Sequence, residues 1–203
     1  MIKTILVASS NKHKQKKLTE IVKDFFDVVD YPENLKLSLE IDEAGDTFLA
    51  NASIKAMEYS KNYSGYVICT DGGVLIPALK DKWDPLRTKR FAGENISDFD
   101  RIAILLEMMK DKEDEDRKMV WQEALAIGYQ GKIVFKTQAR GVDGYLQKDF
   151  NPEYYREGIW VCSVWFFPQF NKNFFELVDK EIDEVEISWE RLKTDVHEFL
   201  KSL

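Results

Sequence analysis

Cysteine and histidine are nearly absent: the 203 residues carry two of each. Cys69 and Cys162 lie far apart, each in an apolar run, so they offer neither a disulfide framework nor a zinc knuckle. They read as buried thiols in a reducing, cytoplasmic setting. His13 and His197 have no partner at metal-ligand spacing, and neither is assigned a catalytic role. No serine or cysteine nucleophile motif appears. No apolar run approaches the ~20 residues that span a bilayer, and the N-terminal Ile-Leu-Val-Ala is too short for the apolar core of a signal peptide. No membrane partner is expected. Basic residues are also outnumbered, 29 Lys and Arg against 36 Asp and Glu, for a net charge of −7. That balance argues against nucleic acid as a partner, because such binding relies on basic side chains displacing phosphate counterions. Any anion site must be local.

Hydrophobic residues make up 44% of the chain, ordinary for a folded protein, and the length suits one α/β domain of two lobes. Residues 3 to 9 read as a short buried strand, and Leu18, Ile21, Val22, Phe25 and Phe26 then follow helical spacing. Leu35, Leu37, Leu39 and Ile41 alternate as a half-buried strand would. A second helix is expected from about Thr47 to Tyr59. Tyr66 to Thr70 reads as a buried strand, followed by a tight turn at Asp71-Gly72-Gly73 and an extended piece ending near Pro77. Apolar residues from Ile102 to Met109 form another helix, and the polar run after it reads as a solvated loop. Two strand-like segments flank Gln130-Gly131, a hairpin turn. This hairpin is assigned to a second, smaller lobe, roughly residues 110–165. A closing helix presents Trp189, Leu192, Val196, Phe199 and Leu200 on one face. The aromatic stretch from Trp160 to Phe175 reads as core or subunit contact rather than a base-stacking platform.

Three groups of residues are suited to chemistry. Ser9 to Lys17 joins the first strand to the first helix and sets Lys12, Lys14, Lys16 and Lys17 near a helix N-terminus. The helix dipole disfavours cations there. A polyphosphate held by backbone N–H groups, Ser9, Asn11 and a lysine would resolve the conflict, as would a plain solvated surface with an Asn11 or Ser10 cap. Glu43 and Asp71 each stand near glycine at an element boundary. Two carboxylates from separate segments are what a phosphate-bound magnesium takes from a protein. Taken singly, Glu43 is also a favourable charge near a helix start and Asp71 a turn residue. Arg90, in Thr88 to Glu94, is suited to clamping a phosphate or carboxylate, and equally to a surface loop.

In order, VASSNKHK, EAGDTFLANASIKA, CTDGGVLIPAL and RTKRFAGE resemble the motifs of the inosine/xanthosine triphosphate pyrophosphatase family, also called Ham1-like. The first family pattern, Thr-x-Asn-x-x-Lys, appears as Ser9, Asn11 and Lys14. The second keeps Glu43, Gly45, Thr47, Phe48, Asn51, Ala52, Lys55 and Ala56, with Ala50 in place of a glutamate. The third, Asp-Asp-Ser-Gly-Leu, reads Thr70-Asp71-Gly72-Gly73-Val74, retaining its second aspartate. The fourth, Ser-Ala-Arg-Tyr-x-Gly-Glu, carries Arg90. The later Gly-Phe-Gly-Tyr-Asp-Pro and Ser-His-Arg patterns are not matched; Gly158 to Ser163 and Ser188 to Glu190 stand in their places.

The resemblance implies an α/β fold with a long mixed central β-sheet flanked by helices, two lobes with an intervening cleft, and a homodimer. It implies a magnesium-dependent pyrophosphohydrolase that cleaves nucleoside triphosphates to monophosphates and pyrophosphate, with base selectivity altered by the lost motifs. Glu43 and Asp71 would hold Mg2+, with Asp71 the catalytic base. Ser9, Asn11, Lys14, Asn51, Lys55, Gly72 and Arg90 would contact substrate. The alternative is a catalytically weakened nucleotide-binding or scaffold protein on the same fold.

Overall fold

A computed structural model describes residues 3–37, 39–93 and 95–203. The chain opens with strand β1 (Thr4–Val7), whose Ile5, Leu6 and Val7 are fully buried. Helix α1 (Lys12–Val22) follows, its N-terminus capped by the Asn11 side chain, which accepts the Lys14 N–H. The helical spacing extends to Phe26, but the helix ends at Val22, and Phe25 and Phe26 pack from the turn beyond it. A short strand β2 (Val28–Asp30), not expected from the pattern, pairs with β1.

Leu35 to Ile41 is not a strand in its described residues, Ser38 lying outside them. The N–H groups of Leu35 and Leu37 donate to the carbonyls of Tyr31 and Pro32, local turn bonds that leave no ladder to form. Leu35 is accordingly exposed. Alternation indicates a strand only where a neighbouring strand supplies partners.

Helix α2 (Phe48–Lys61) is capped by Thr47 and buries Phe48, Ala52 and Ala56. Strand β3 (Tyr66–Leu75) then runs unbroken through Asp71, Gly72 and Gly73. The expected turn is absent: neither glycine takes the positive φ that such a turn requires. Later elements are α3 (Asp98–Met108), β4 (Lys118–Tyr129), β5 (Lys132–Leu146), β6 (Trp165–Phe167), β7 (Lys172–Asn173), α4 (Asp179–Val185) and α5 (Ile187–Lys201). Gln130 (φ 51°) and Gly131 (φ 75°) form the two-residue turn between β4 and β5, both in the left-handed region.

Among the described residues, seven strands lie in the order β2-β1-β3-β4-β5-β6-β7. β1 is parallel to β2 and β3, whereas β6 is antiparallel to both β5 and β7, so the sheet is mixed. Two compact units share the chain. The first holds the chain up to Gly72, with Glu123–Ala139 and Ser188–Leu203. Its main core packs α1 and α5 through Leu18, Ile21, Leu192 and Val196 against Ile5 and Ile68. The second unit holds Gly73–Gln122 and Arg140–Ile187, and its core includes Trp83, Leu105, Trp160 and Phe167. The aromatic stretch is thus largely core.

Within the second unit, the polar run after α3 is more than a solvated loop. Its Arg117 is 5% exposed and donates to the carbonyls of Met109, Lys112, Leu146 and Gln147. Burial draws the guanidinium below its ordinary pKa, with Glu113 and Asp149 opposing. Among the described residues, no helix is long and apolar enough to cross a membrane.

Candidate functional site

The first unit gathers most of the candidate residues around the ends of β1 and β3. Val7 pairs with Ile68, and the Ala8 N–H donates to the Ile68 carbonyl at 3.0 Å. β1 ends there while β3 continues, so Thr70 and Asp71 lie just past the carboxyl end of the neighbouring parallel strand. Open α/β sheets place ligands at that end. Successive residues of a strand project to opposite faces, so Thr70 and Asp71 serve two separate clusters.

On the Asp71 side, α2 supplies Lys55. Its Nζ stands 3.2 Å from Asp71 Oδ1 and 3.2 Å from Glu43 Oε1. The Asp71 and Lys55 side chains are each 16% exposed, Glu43 48%. Burial is the largest influence on Lys55 and pulls its pKa down; Asp71 and Glu43 more than offset it, so the ammonium is held above its ordinary value. Cys69 is also close enough to feel Lys55, but complete burial pushes its thiol up to about 12. It is not a nucleophile.

Glu43 lies in a segment without regular structure and is positioned by its neighbours. The Gly45 N–H donates to Asn51 Oδ1 at 2.9 Å, and Asn51, on α2, is 2% exposed. A Cβ on Gly45 would stand 2.6 Å from that same oxygen and 2.7 Å from the Ala50 Cβ. Only glycine lets the segment sit this close to α2. Asn51 therefore fastens the Glu43 segment.

On the Thr70 side, α1 supplies Lys14. Its Nζ stands 3.2 Å from Glu123 Oε2, and Thr70 Oγ1 donates to the same oxygen at 2.9 Å. Glu123 is 1% exposed. The sequence reading missed it, although a lone acidic residue within the apolar strand Met119 to Tyr129 was a signal. The first loop is braced further: Asn11 N–H donates to Ser9 Oγ at 3.2 Å, and Gln15 Nε2 donates to the Ser9 carbonyl at 2.6 Å and to Glu33 at 2.9 Å. Lys12 also binds Glu33. Carboxylates thus answer Lys12 and Lys14 near the α1 N-terminus.

Arg90 lies in the second unit, exposed at the end of the 3-10 helix Pro85–Arg90. Glu94, which closes its motif, falls outside the described residues. Gly72 follows Asp71 in β3 and is half-buried.

A sequence profile of the Ham1 family matches residues 5–154. The chain belongs to the Ham1 family. The profile spans all four motifs, including both clusters around Thr70 and Asp71. Among curated relatives, a dITP/XTP pyrophosphatase of Oceanobacillus iheyensis is 37% identical over 135 residues, covering 64% of this chain and 66% of that protein. One from Dictyoglomus thermophilum is 31% identical over 180 residues, covering 87% and 84%. The solved structure of a HAM1 protein from Coxiella burnetii shares the fold, with TM-score 0.80 at 24% identity, covering 97% of this chain and all (100%) of that one. The mixed sheet flanked by helices is therefore the Ham1 architecture.

Among the described residues, no group of three or more His, Cys, Asp or Glu side chains gathers in a way that could hold a metal ion. What does gather is a pair, Glu43 and Asp71, already arranged around one cation, the Lys55 ammonium. Two hard oxygen donors fit an ion that keeps several waters and completes its shell from phosphate oxygens.

Proposed function

We propose that this Ham1 protein is a nucleoside triphosphate pyrophosphohydrolase, releasing a nucleoside monophosphate and pyrophosphate. The observation carrying this reading is the Glu43–Lys55–Asp71 cluster at the carboxyl end of the parallel strands, in a family whose curated relatives are named dITP/XTP pyrophosphatases. Ser9, Asn11, Lys14 and Lys55 would hold the phosphates. Asn51 and Gly72 would support the site through the Glu43 segment and β3.

Asp71 accepts a proton from the attacking water, whose oxygen bonds to the α-phosphorus as the bond to the bridging oxygen of the β-phosphate breaks. That oxygen leaves with pyrophosphate. Lys55 is placed to meet charge growing on the phosphates once they draw it from the carboxylates. Glu43 and Asp71 would hold a divalent cation, magnesium by our reading, whose charge offsets that of the phosphates. The unmatched later motifs support a base preference different from that of the relatives. The site is proposed to work in a cytoplasmic homodimer, for which sedimentation velocity tests the assembly.

Purified protein with magnesium and a panel of nucleoside triphosphates, with pyrophosphate measured, tests the activity. Turnover is expected, falling at least about a hundredfold in Asp71→Ala. No turnover with any triphosphate, or an unaffected Asp71→Ala, refutes it. A second reading, a nucleotide-binding protein that does not turn over, is favoured specifically by Ala50, Thr70 and Gly72 standing where the family pattern has glutamate, aspartate and serine. Thermal stabilisation by triphosphates without hydrolysis would select it.

A further inference from the structure

By strand alternation, Glu123 shares the face of β4 that carries Leu125 and Ile127, both fully buried. Its carboxylate is 1% exposed. Burying such a charge costs several kcal/mol unless it is paired. Its partners include Lys14 Nζ at 3.2 Å and the Thr70 hydroxyl at 2.9 Å, whose single proton also faces the Ala124 carbonyl at 2.7 Å. Stability does not require this arrangement, since well-packed apolar residues in place of a buried ion pair are often as stable or more so. What the pair achieves is placement. A lysine head on a flexible four-carbon stem is held beside the first loop, against the residue adjacent to Asp71. Thr70 also occupies the position where the family pattern has its first aspartate.

We propose that Glu123 is a positioning residue for the phosphate end of the first unit. From β4 it supplies the carboxylate that the family pattern carries on β3, and through it Lys14 is held where it acts on phosphate. This inference rests on the reading of the cluster as a triphosphate site. It predicts opposite movements of affinity and rate. Without the Glu123 charge, Lys14 is freer to bind an anion but no longer correctly placed.

The experiment measures inorganic tripolyphosphate affinity by calorimetry and nucleoside triphosphate turnover on the same preparations. Glu123→Gln should bind tripolyphosphate about fivefold more tightly yet turn over about tenfold or more slowly. A purely structural role would weaken both. Thr70→Asp/Glu123→Gln, which returns a carboxylate to β3, should bring both values back towards wild type. In a Lys14→Met background, Glu123→Gln should not change affinity. The proposal is overturned if folded Glu123→Gln binds no more tightly than wild type. It is equally overturned if the Thr70→Asp/Glu123→Gln variant behaves like Glu123→Gln alone, or if the effect persists without Lys14. Should Glu123→Gln fail to fold, the Thr70→Asp/Glu123→Gln variant decides: wild-type affinity and turnover support the proposal, and weakened binding overturns it. A wild-type protein that binds tripolyphosphate but hydrolyses no triphosphate refutes the proposed activity, while the affinity comparisons still decide this inference. One that does not bind tripolyphosphate overturns this inference, while turnover alone decides the proposed activity.

Discussion

At the scale of single residues, the Glu43 segment depends on one glycine. Gly45 has no room for a Cβ against Asn51 and Ala50, and its N–H is tied to Asn51 Oδ1. Gly45→Ala should therefore displace Glu43 from Lys55 and lower stability by about 1–3 kcal/mol, read by denaturant unfolding, and should reduce turnover more than an exposed substitution elsewhere. Glu43 and Asp71 were legible as a pair because their motifs lie in family order, yet the sequence offered no way to see that they share Lys55. The cysteines behave as their apolar surroundings suggested. Cys69 and Cys162 are both free and buried, each thiol pushed up to about 12 by burial. A thiol reagent should label neither in the native protein at pH 8 and both after unfolding; rapid native labelling would contradict their burial.

At the scale of elements, the loop entering α1 is held by charge as well as by its cap. Hydrogen bonds from Lys12 and then Gln15 lower the Glu33 carboxyl to about 2. A folded-state pKa below the unfolded value contributes stability that is present above about 4.3 and lost as pH falls through about 2. The melting temperature of Glu33→Gln should therefore be lower than wild type at pH 7, with the difference closing between about pH 4.3 and 2. A gap that stays constant across this range would contradict the linkage. In the second unit, Arg117 joins the segment after α3 to the end of β5 through four carbonyls. Arg117→Met keeps much of the stem but strands these acceptors, and should cost about 3 kcal/mol or more in unfolding free energy. These elements show where pattern reading fails. The acidic run around Arg117 looks solvated because composition averages over the one side chain that turns inward. Leu35 to Ile41 looks like a strand because alternation says nothing about whether a partner strand is present.

At the scale of the whole molecule, the chain determined what local chemistry can determine. Asn11 and Thr47 cap the helices that follow, apolar runs become β1 and β3, and Gln130-Gly131 turns the hairpin, because caps, short-range periodicity and positive φ act within a few residues. The four ordered motifs likewise placed Glu43, Asp71 and Lys14 in the Ham1 pattern. Only the tertiary structure decided that β3 runs straight past the end of β1, that Lys55 joins both carboxylates, and that Glu123, 109 positions from Lys14 in sequence, meets it beside Thr70. Those contacts depend on strand order and register, which arise from pairing between distant segments and leave no periodic trace in any one of them.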